Sequence, residues 1–337
     1  MRTLRTIGAA AASLCLAGAA GSADFSDVFF FGDSLSDTGN FCTGLELFGY
    51  APRRCSNGDV WVDGLAAALG FEATPSIELG NNFANGGAET TDLDLQINLF
   101  CLAQGILVPC EADPGALYVI WLGGNDVLGG PDDPQAMVGS VENVLDGIER
   151  LRSYGARQFL VPNLPDIGRA YGSFEVPIDT NDRFTPAERD LTTARSLAFN
   201  AALETGLASL RGVQIHSLDV FALFEEVIAD PEAFGFVPGA IDRVSDDTDF
   251  AFPCLLDPDC AADPDGPVAD GFALFDAIHP TAALHAWIAD RAVTLVPEPA
   301  PGALHATGLA VVLALHGLAV RGSGRRRARR GRARASV

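Results

Sequence analysis

The feature that most constrains this chain is a short apolar run that stops abruptly at a polar turn. Val28-Phe29-Phe30-Phe31 reads as a buried strand, and Gly32-Asp33-Ser34-Leu35 ends it. The pattern recurs twice. Ala116 to Leu122 is a continuous apolar run closed by Gly123-Gly124-Asn125-Asp126, and Gln158 to Val161 is closed by Pro162-Asn163-Leu164-Pro165-Asp166. An unbroken apolar run of this length belongs in a parallel sheet covered on both faces. The covering helices lie between and around these runs. Pro134 to Tyr154 carries Met137, Val141, Val144, Leu145, Ile148 and Leu151 at helical spacing, and Gly58–Leu69, Asp92–Leu102 and Ala187–Leu210 also read as helices. Val213 to Leu218 reads as a further strand. The alternation predicts an α/β fold with a doubly wound parallel sheet.

Ligands of such sheets bind at the carboxyl ends of the strands. Ser34 falls there, and it can act as a nucleophile if a base and an oxyanion hole converge on it. Taken alone, Asp33 and Ser34 fit equally well as helix caps. A polar, glycine-rich turn, Asn81 to Ala88, has a pair of glycines that permits close backbone approach; taken alone it is an ordinary loop. Between Asp24 and Pro297 there are three histidines, His216, His279 and His285. Asp276 precedes His279 by three residues, so a carboxylate can fix the imidazole tautomer and leave the other nitrogen for a serine proton. His216 sits in an apolar strand and reads as structural, and His285 has no carboxylate at similar spacing before it. Trp61 reads as packing, and Asp33 and Asp126 as loop braces.

Together these blocks resemble the GDSL, or SGNH, family of serine esterases and lipases, over about Phe25 to Thr294. The longer block Gly32 to Asn40 looks most like the phospholipase/lecithinase/hemolysin branch. The resemblance implies a three-layer α/β/α, flavodoxin-like sheet with Ser34 as nucleophile, His279 as base and Asp276 as acid. It places the oxyanion hole on the backbone N–H groups of Ser34 and Gly87, with Gly86 as the alternative glycine, and on the Asn125 amide. Leu164-Pro165-Asp166 and Phe199-Asn200 also stand at family-like positions. The implied reaction is cleavage of a carboxylic ester, an acyl ester or phospholipid, through an acyl-serine intermediate, with no cofactor and no metal. Two alternatives share the fold: a polysaccharide O-acetyl esterase, and a non-catalytic surface or matrix binding protein.

Both ends of the chain read as addresses. Arg2 and Arg5 precede an Ala/Leu-rich run and small residues before Asp24, the layout of a secretory signal over 1–23. The body then spans 24–295. Val296-Pro297-Glu298-Pro299 opens the tail 296–337, in which Ala303 to Val320 is nearly uncharged and eight arginines follow. That stretch is at the short end of a membrane span, with the arginines holding its far end in the cytoplasm. The tail resembles a PEP-CTERM sorting signal. The resemblance implies transient inner-membrane anchoring, removal by an exosortase-type peptidase, and release to the surface or extracellular matrix.

All 22 basic residues are arginine; two precede Asp24 and eight follow Pro299, which leaves 12 against 44 acidic residues and a body charge of 12 − 44 = −32. So acidic a body repels nucleic acid and anionic surfaces. Of seven cysteines, Cys15 falls in the leader. The other six cluster as close pairs, which favours Cys42–Cys55, Cys101–Cys110 and Cys254–Cys260 in an exported chain. The Pro-, Asp- and Gly-rich segment from Asp230 to Gly271 is too long for a plain connection and is expected to be a lid-like loop or substrate wall.

Overall fold

The computed structural model describes residues 25–296, without 106, 171–184, 238–240, 244–248, 252–253, 265 and 277. The leader 1–23 and the span 303–320 expected from sequence lie outside the described residues. Among the described residues, no helix is long and apolar enough to cross a membrane.

Strands β1 (Val28–Gly32), β2 (Leu117–Trp121), β3 (Gln158–Pro162) and β4 (Gln214–Leu218) pair in that order, all parallel. Outside β1, among the described residues, Phe30 bridges Asn82 in parallel and Asn82 bridges Pro75 in turn, with Phe83 N–H donating to the Phe30 carbonyl. This stub holds the place of a strand between β1 and β2 in sequence. Counted by sequence, the spatial order is therefore 2-1-3-4-5, the flavodoxin-like order. It stays a stub for a local reason. Asparagine is a poor strand former, and Asn81 and Asn82 spend their amides on Val28 O and on Ser36 O and Thr38 Oγ1.

The helices are α1 (Trp61–Ala68), α2 (Leu93–Gln104), α3 (Gly124–Leu128), α4 (Met137–Tyr154), α5 (Ile167–Ala170), α6 (Pro186–Ser209), α7 (Val220–Ala229), α8 (Pro258–Ala262) and α9 (Ala282–Leu295). α1 packs against α9, while α2 packs against α4 and α4 against α6, which gives a helical layer on each face of the sheet. A Cβ on Gly64 would stand 2.9 Å from that of Ala289, so glycine there lets α1 and α9 approach closely. α4 buries Met137, Val141, Val144, Ile148 and Leu151, the stripe expected from its period. α6 begins at a capping box in which Thr185 Oγ1 and Glu188 satisfy each other's backbone N–H groups. Phe31 stacks on Phe83 and meets Phe100 edge-on, so the core continues past β1 under the stub. Each such side chain stabilises the fold by roughly 1.5–3 kcal/mol on burial.

The three cysteine pairs are bridged as their clustering favours. The segment after Asp230 differs from a plain loop. Its described parts hold a 3-10 turn at Pro231–Phe234, paired strands β5 (Ile241–Arg243) and β6 (Asp249–Ala251), and helix α8. Phe236, Cys254, Cys260 and Ala269 in it are buried. Turn-forming composition concealed a segment that packs on core residues of its own. Asp24–Glu298 forms one compact unit.

Candidate active site

Gly32 on β1 lies opposite Trp121 on β2, so the turns after both strands leave the sheet at the same edge. The first carries Ser34. The second becomes α3, which carries Asn125 and Asp126. The chain returns to this edge just before α9, in the turn holding Asp276 and His279, where Phe275 N–H donates to the His279 carbonyl.

There His279 Nε2 stands 2.9 Å from Ser34 Oγ, and His279 Nδ1 stands 2.6 Å from Asp276 Oδ2. The Asp276 Oδ1 atom accepts the backbone N–H groups of Ile278 and His279, both at 2.7 Å. Burial would raise the Asp276 carboxyl, but the charge on His279 and these hydrogen bonds outweigh it and hold the group below the usual carboxylate range. Burial likewise works to lower the His279 imidazolium, and the Asp276 charge overrides it, raising the pKa above its ordinary value. The arrangement can take a proton from Ser34 on one imidazole nitrogen while the other is held in a fixed tautomer.

Of the two candidate glycines, Gly86 commits its N–H to Asp37 Oδ2 at 2.9 Å. Gly87 has φ +78, with open space where a Cβ would be, and its N–H has no partner among the described residues. Asn125 Nδ2 donates to the Ala88 carbonyl at 2.8 Å. One of its two amide hydrogens is thus used to aim the other. Asp33 is buried, accepts Leu35 N–H at 3.0 Å and lies under Gly124; burial pushes its carboxyl up to about 7. Asp126 takes the Thr90 N–H and hydroxyl and so ties α3 to the segment after Gly87. Asn200 clamps the loop after β3 through paired bonds with Leu164. His216, on β4, is half-buried beside Gln214, away from the cluster. His285 is fully buried and neither ring nitrogen has a partner among the described residues.

Two contributors were not foreseen. Tyr50 donates its hydroxyl to Asp276 Oδ2 at 2.5 Å. Asp37, fully buried, accepts the N–H groups of Gly39, Asn40, Phe41, Cys42 and Gly86, fastening the loop after Ser34 to the glycine turn. Trp61 is more than packing, since its indole N–H donates to Ser36 Oγ at 3.0 Å. A local signal existed for Asp37, an Asp followed by Thr-Gly-Asn; none existed for Tyr50. Among the described residues, no cluster of histidine, cysteine and carboxylate side chains could hold a metal.

Serine, imidazole and carboxylate hydrogen-bonded in series at the carboxyl edge of a doubly wound sheet define a hydrolase-type site. The sequence model of the GDSL-like Lipase/Acylhydrolase family matches residues 28–292. The chain belongs to that family. It is 30% identical to esterase EstA of Pseudomonas aeruginosa, covering 88% of this chain and 52% of that protein. It is 28% identical to the thermolabile hemolysin of Vibrio parahaemolyticus, covering 78% of this chain and 62% of the hemolysin. It is also 28% identical to a phosphatidylcholine-sterol acyltransferase of Aeromonas hydrophila, over 63% of each chain. The chain therefore spans between about half and two thirds of the length of these curated relatives. An extracellular lipase from Streptomyces rimosus aligns in structure with a TM-score of 0.39 at 16% identity, over 79% of this chain and 99% of that one.

Proposed function

We propose that this protein is an exported carboxylic ester hydrolase that acts on acyl esters or phospholipids through an acyl-serine intermediate. The observation that carries the proposal is the 2.9 Å contact of Ser34 Oγ with His279 Nε2, backed by the 2.6 Å contact of His279 Nδ1 with Asp276. Ser34 Oγ attacks the ester carbonyl carbon while His279 Nε2 takes its proton. Charge develops on the carbonyl oxygen, where the N–H groups of Ser34 and Gly87 and the free Asn125 amide hydrogen receive it. Collapse expels the alcohol, protonated by His279. Water then attacks the acyl-serine with His279 again as base, releasing the acid and restoring Ser34. Asp276 stays ionised and stabilises the imidazolium in both halves. No step calls for a metal or organic cofactor.

Export and anchoring belong to the same proposal. Three disulfides suit an oxidising compartment, and the apolar stretch 303–320 with its arginines suits an inner-membrane stop before exosortase-type cleavage. Fractionation of cells expressing the chain with and without 297–337 tests this part: equal distribution of both forms would overturn it.

The catalytic part is tested with p-nitrophenyl esters of graded chain length and a phosphatidylcholine, using the body 24–298 and its Ser34→Ala variant. Hydrolysis that disappears in the variant is expected. Hydrolysis that survives it would remove Ser34 from the mechanism.

A further inference from the structure

The surface beside the glycine turn is apolar where a solvated domain is ordinarily polar. α2 turns Leu93, Ile97 and Phe100 to the core, yet Leu95, Leu99 and Leu102, at i, i+4 and i+7, are exposed on its other side. Leu95 and Leu99 line a cavity of about 250 Å³ together with Ile77, Phe83 and Gly87. A second cavity of about 610 Å³ shares Phe83 and continues to Leu79, Phe100 and Ala103. Ile77 is 64% exposed and Leu79 91%. Beyond α2 the Cys101–Cys110 bridge closes a loop in which Leu107 is 96% exposed and Val108 53%. Phe41, 62% exposed, lies over Gly86 at the catalytic end. An apolar strip thus runs the length of α2, about 18 Å from its rise per residue, with the glycine turn at one end. Contiguous exposed apolar surface of this kind marks a binding face.

Charge at its margin selects the partner. The larger cavity is lined by the carboxylates Asp27, Glu72, Glu111 and Asp113 together with the half-buried rings of Phe29 and Phe71 and the buried rings of Phe83 and Phe100. None of these four carboxylates is in an ion pair among the described residues. An acidic rim repels anionic headgroups, whereas a quaternary ammonium is attracted both to carboxylates and to aromatic faces. We propose that this face seats the protein on a zwitterionic, choline-bearing lipid surface, with α2 lying in the plane of the interface and the carboxylate rim facing the ammonium groups. Amphipathic helices rest on bilayers in this orientation. The inference rests on the esterase reading and narrows its substrate to esters presented at a lipid surface, since the seat would hold Gly87 and Ser34 close to the headgroup layer.

The test uses phosphatidylcholine vesicles. The Ser34→Ala body, 24–298, binds without hydrolysis, and its affinity is measured by flotation. Leu102→Gln with Leu107→Gln, in exposed residues remote from Ser34, is expected to weaken binding at least tenfold. In the active body the same pair should lower phosphatidylcholine hydrolysis in proportion and leave hydrolysis of a soluble short-chain ester unchanged. Glu72→Gln with Glu111→Gln should reduce the preference for phosphatidylcholine over phosphatidylglycerol vesicles. Unchanged flotation in the leucine variant, or tighter binding to phosphatidylglycerol by the unsubstituted body, would overturn the proposal. So would a dimer in light scattering that the leucine substitutions dissolve, because the strip would then join two copies. Absence of short-chain ester hydrolysis in the unsubstituted body would instead count against the esterase reading, while flotation of the Ser34→Ala body still decides the docking face.

Discussion

Tyr50 Oη donates to Asp276 Oδ2 at 2.5 Å, the same oxygen that faces His279 Nδ1 at 2.6 Å. The tyrosine and the imidazole therefore compete for one carboxylate oxygen. Tyr50 is buried, its ring meets Phe275 edge-on, and burial together with the Asp276 charge raises its pKa, so the phenol stays protonated. Cys42–Cys55 closes the loop that carries it. Tyr50→Phe should lower kcat roughly tenfold with little change in KM, the scale of one hydrogen bond to a charged group. The pH profile separates positioning from packing. The His279 pKa is already raised, so activity falls as pH drops through a midpoint above 6.5. Without the tyrosine donor Asp276 holds the imidazolium more strongly, and the midpoint should move to higher pH. An unmoved midpoint would make Tyr50 a packing residue.

Asp37 governs the other half of the site. Its carboxylate accepts five backbone N–H groups, four from its own loop and one from Gly86. Asp37→Ala leaves those donors buried, at ~1–3 kcal/mol for each that finds no water. Urea unfolding should show a loss of at least ~3 kcal/mol, with activity lost together with the glycine turn. Asp37→Asn keeps one acceptor oxygen and should fall between. A stability change under ~1 kcal/mol in the alanine variant would show that the loop is held elsewhere.

The contrast between these residues explains what the sequence disclosed. The four main strands and the α4 stripe were legible because each is a continuous apolar or periodic segment, and such signals are local. Ser34 and Asn125 stood out because each follows an abrupt change from apolar to polar, and His279 because Asp276 precedes it by three residues. Tyr50 lies 226 residues from Asp276 in a loop without periodicity, so nothing local marks its bond. The stub at Asn82 was hidden for the opposite reason: its residues disfavour strands, and tertiary contacts with β1 on one side and Pro75 on the other make it pair. From Asp230 to Gly271, proline, aspartate and glycine suggested a lid-like loop or substrate wall, while a disulfide and scattered buried residues such as Phe236 and Ala269 order its described parts.

Asn125 offers a cleaner test of the proposed oxyanion hole. Its amide is aimed by the Ala88 carbonyl at 2.8 Å, so little reorganisation is needed when charge develops. Asn125→Ala should cost about 3 kcal/mol of transition-state stabilisation, a fall in kcat of a few hundred-fold with KM nearly constant. A rise in KM alone would make Asn125 a substrate-binding residue.

His285 should make the fold acid-sensitive. It is fully buried on α9 with both ring nitrogens unpartnered among the described residues, and burial, helped by the charge on His279, drives its pKa down to about 3. Folding thus keeps this imidazole neutral, whereas the unfolded chain protonates it near 6.5. A depressed histidine leaves stability intact above about 6.5 and removes it progressively as pH falls toward 3. At 1.36 kcal/mol per pH unit the loss is about 2 kcal/mol by pH 5. His279 runs the other way, since its raised pKa favours the fold at low pH and that contribution fades as pH rises through the raised value. Comparing His285→Leu with the unsubstituted body cancels the His279 part. The variant should gain about 2 kcal/mol more at pH 5 than at pH 8 in urea unfolding, and it should be no less stable at pH 8 because two buried unsatisfied nitrogens are gone. Equal differences at the two pH values would mean that His285 finds a proton-binding partner in solution.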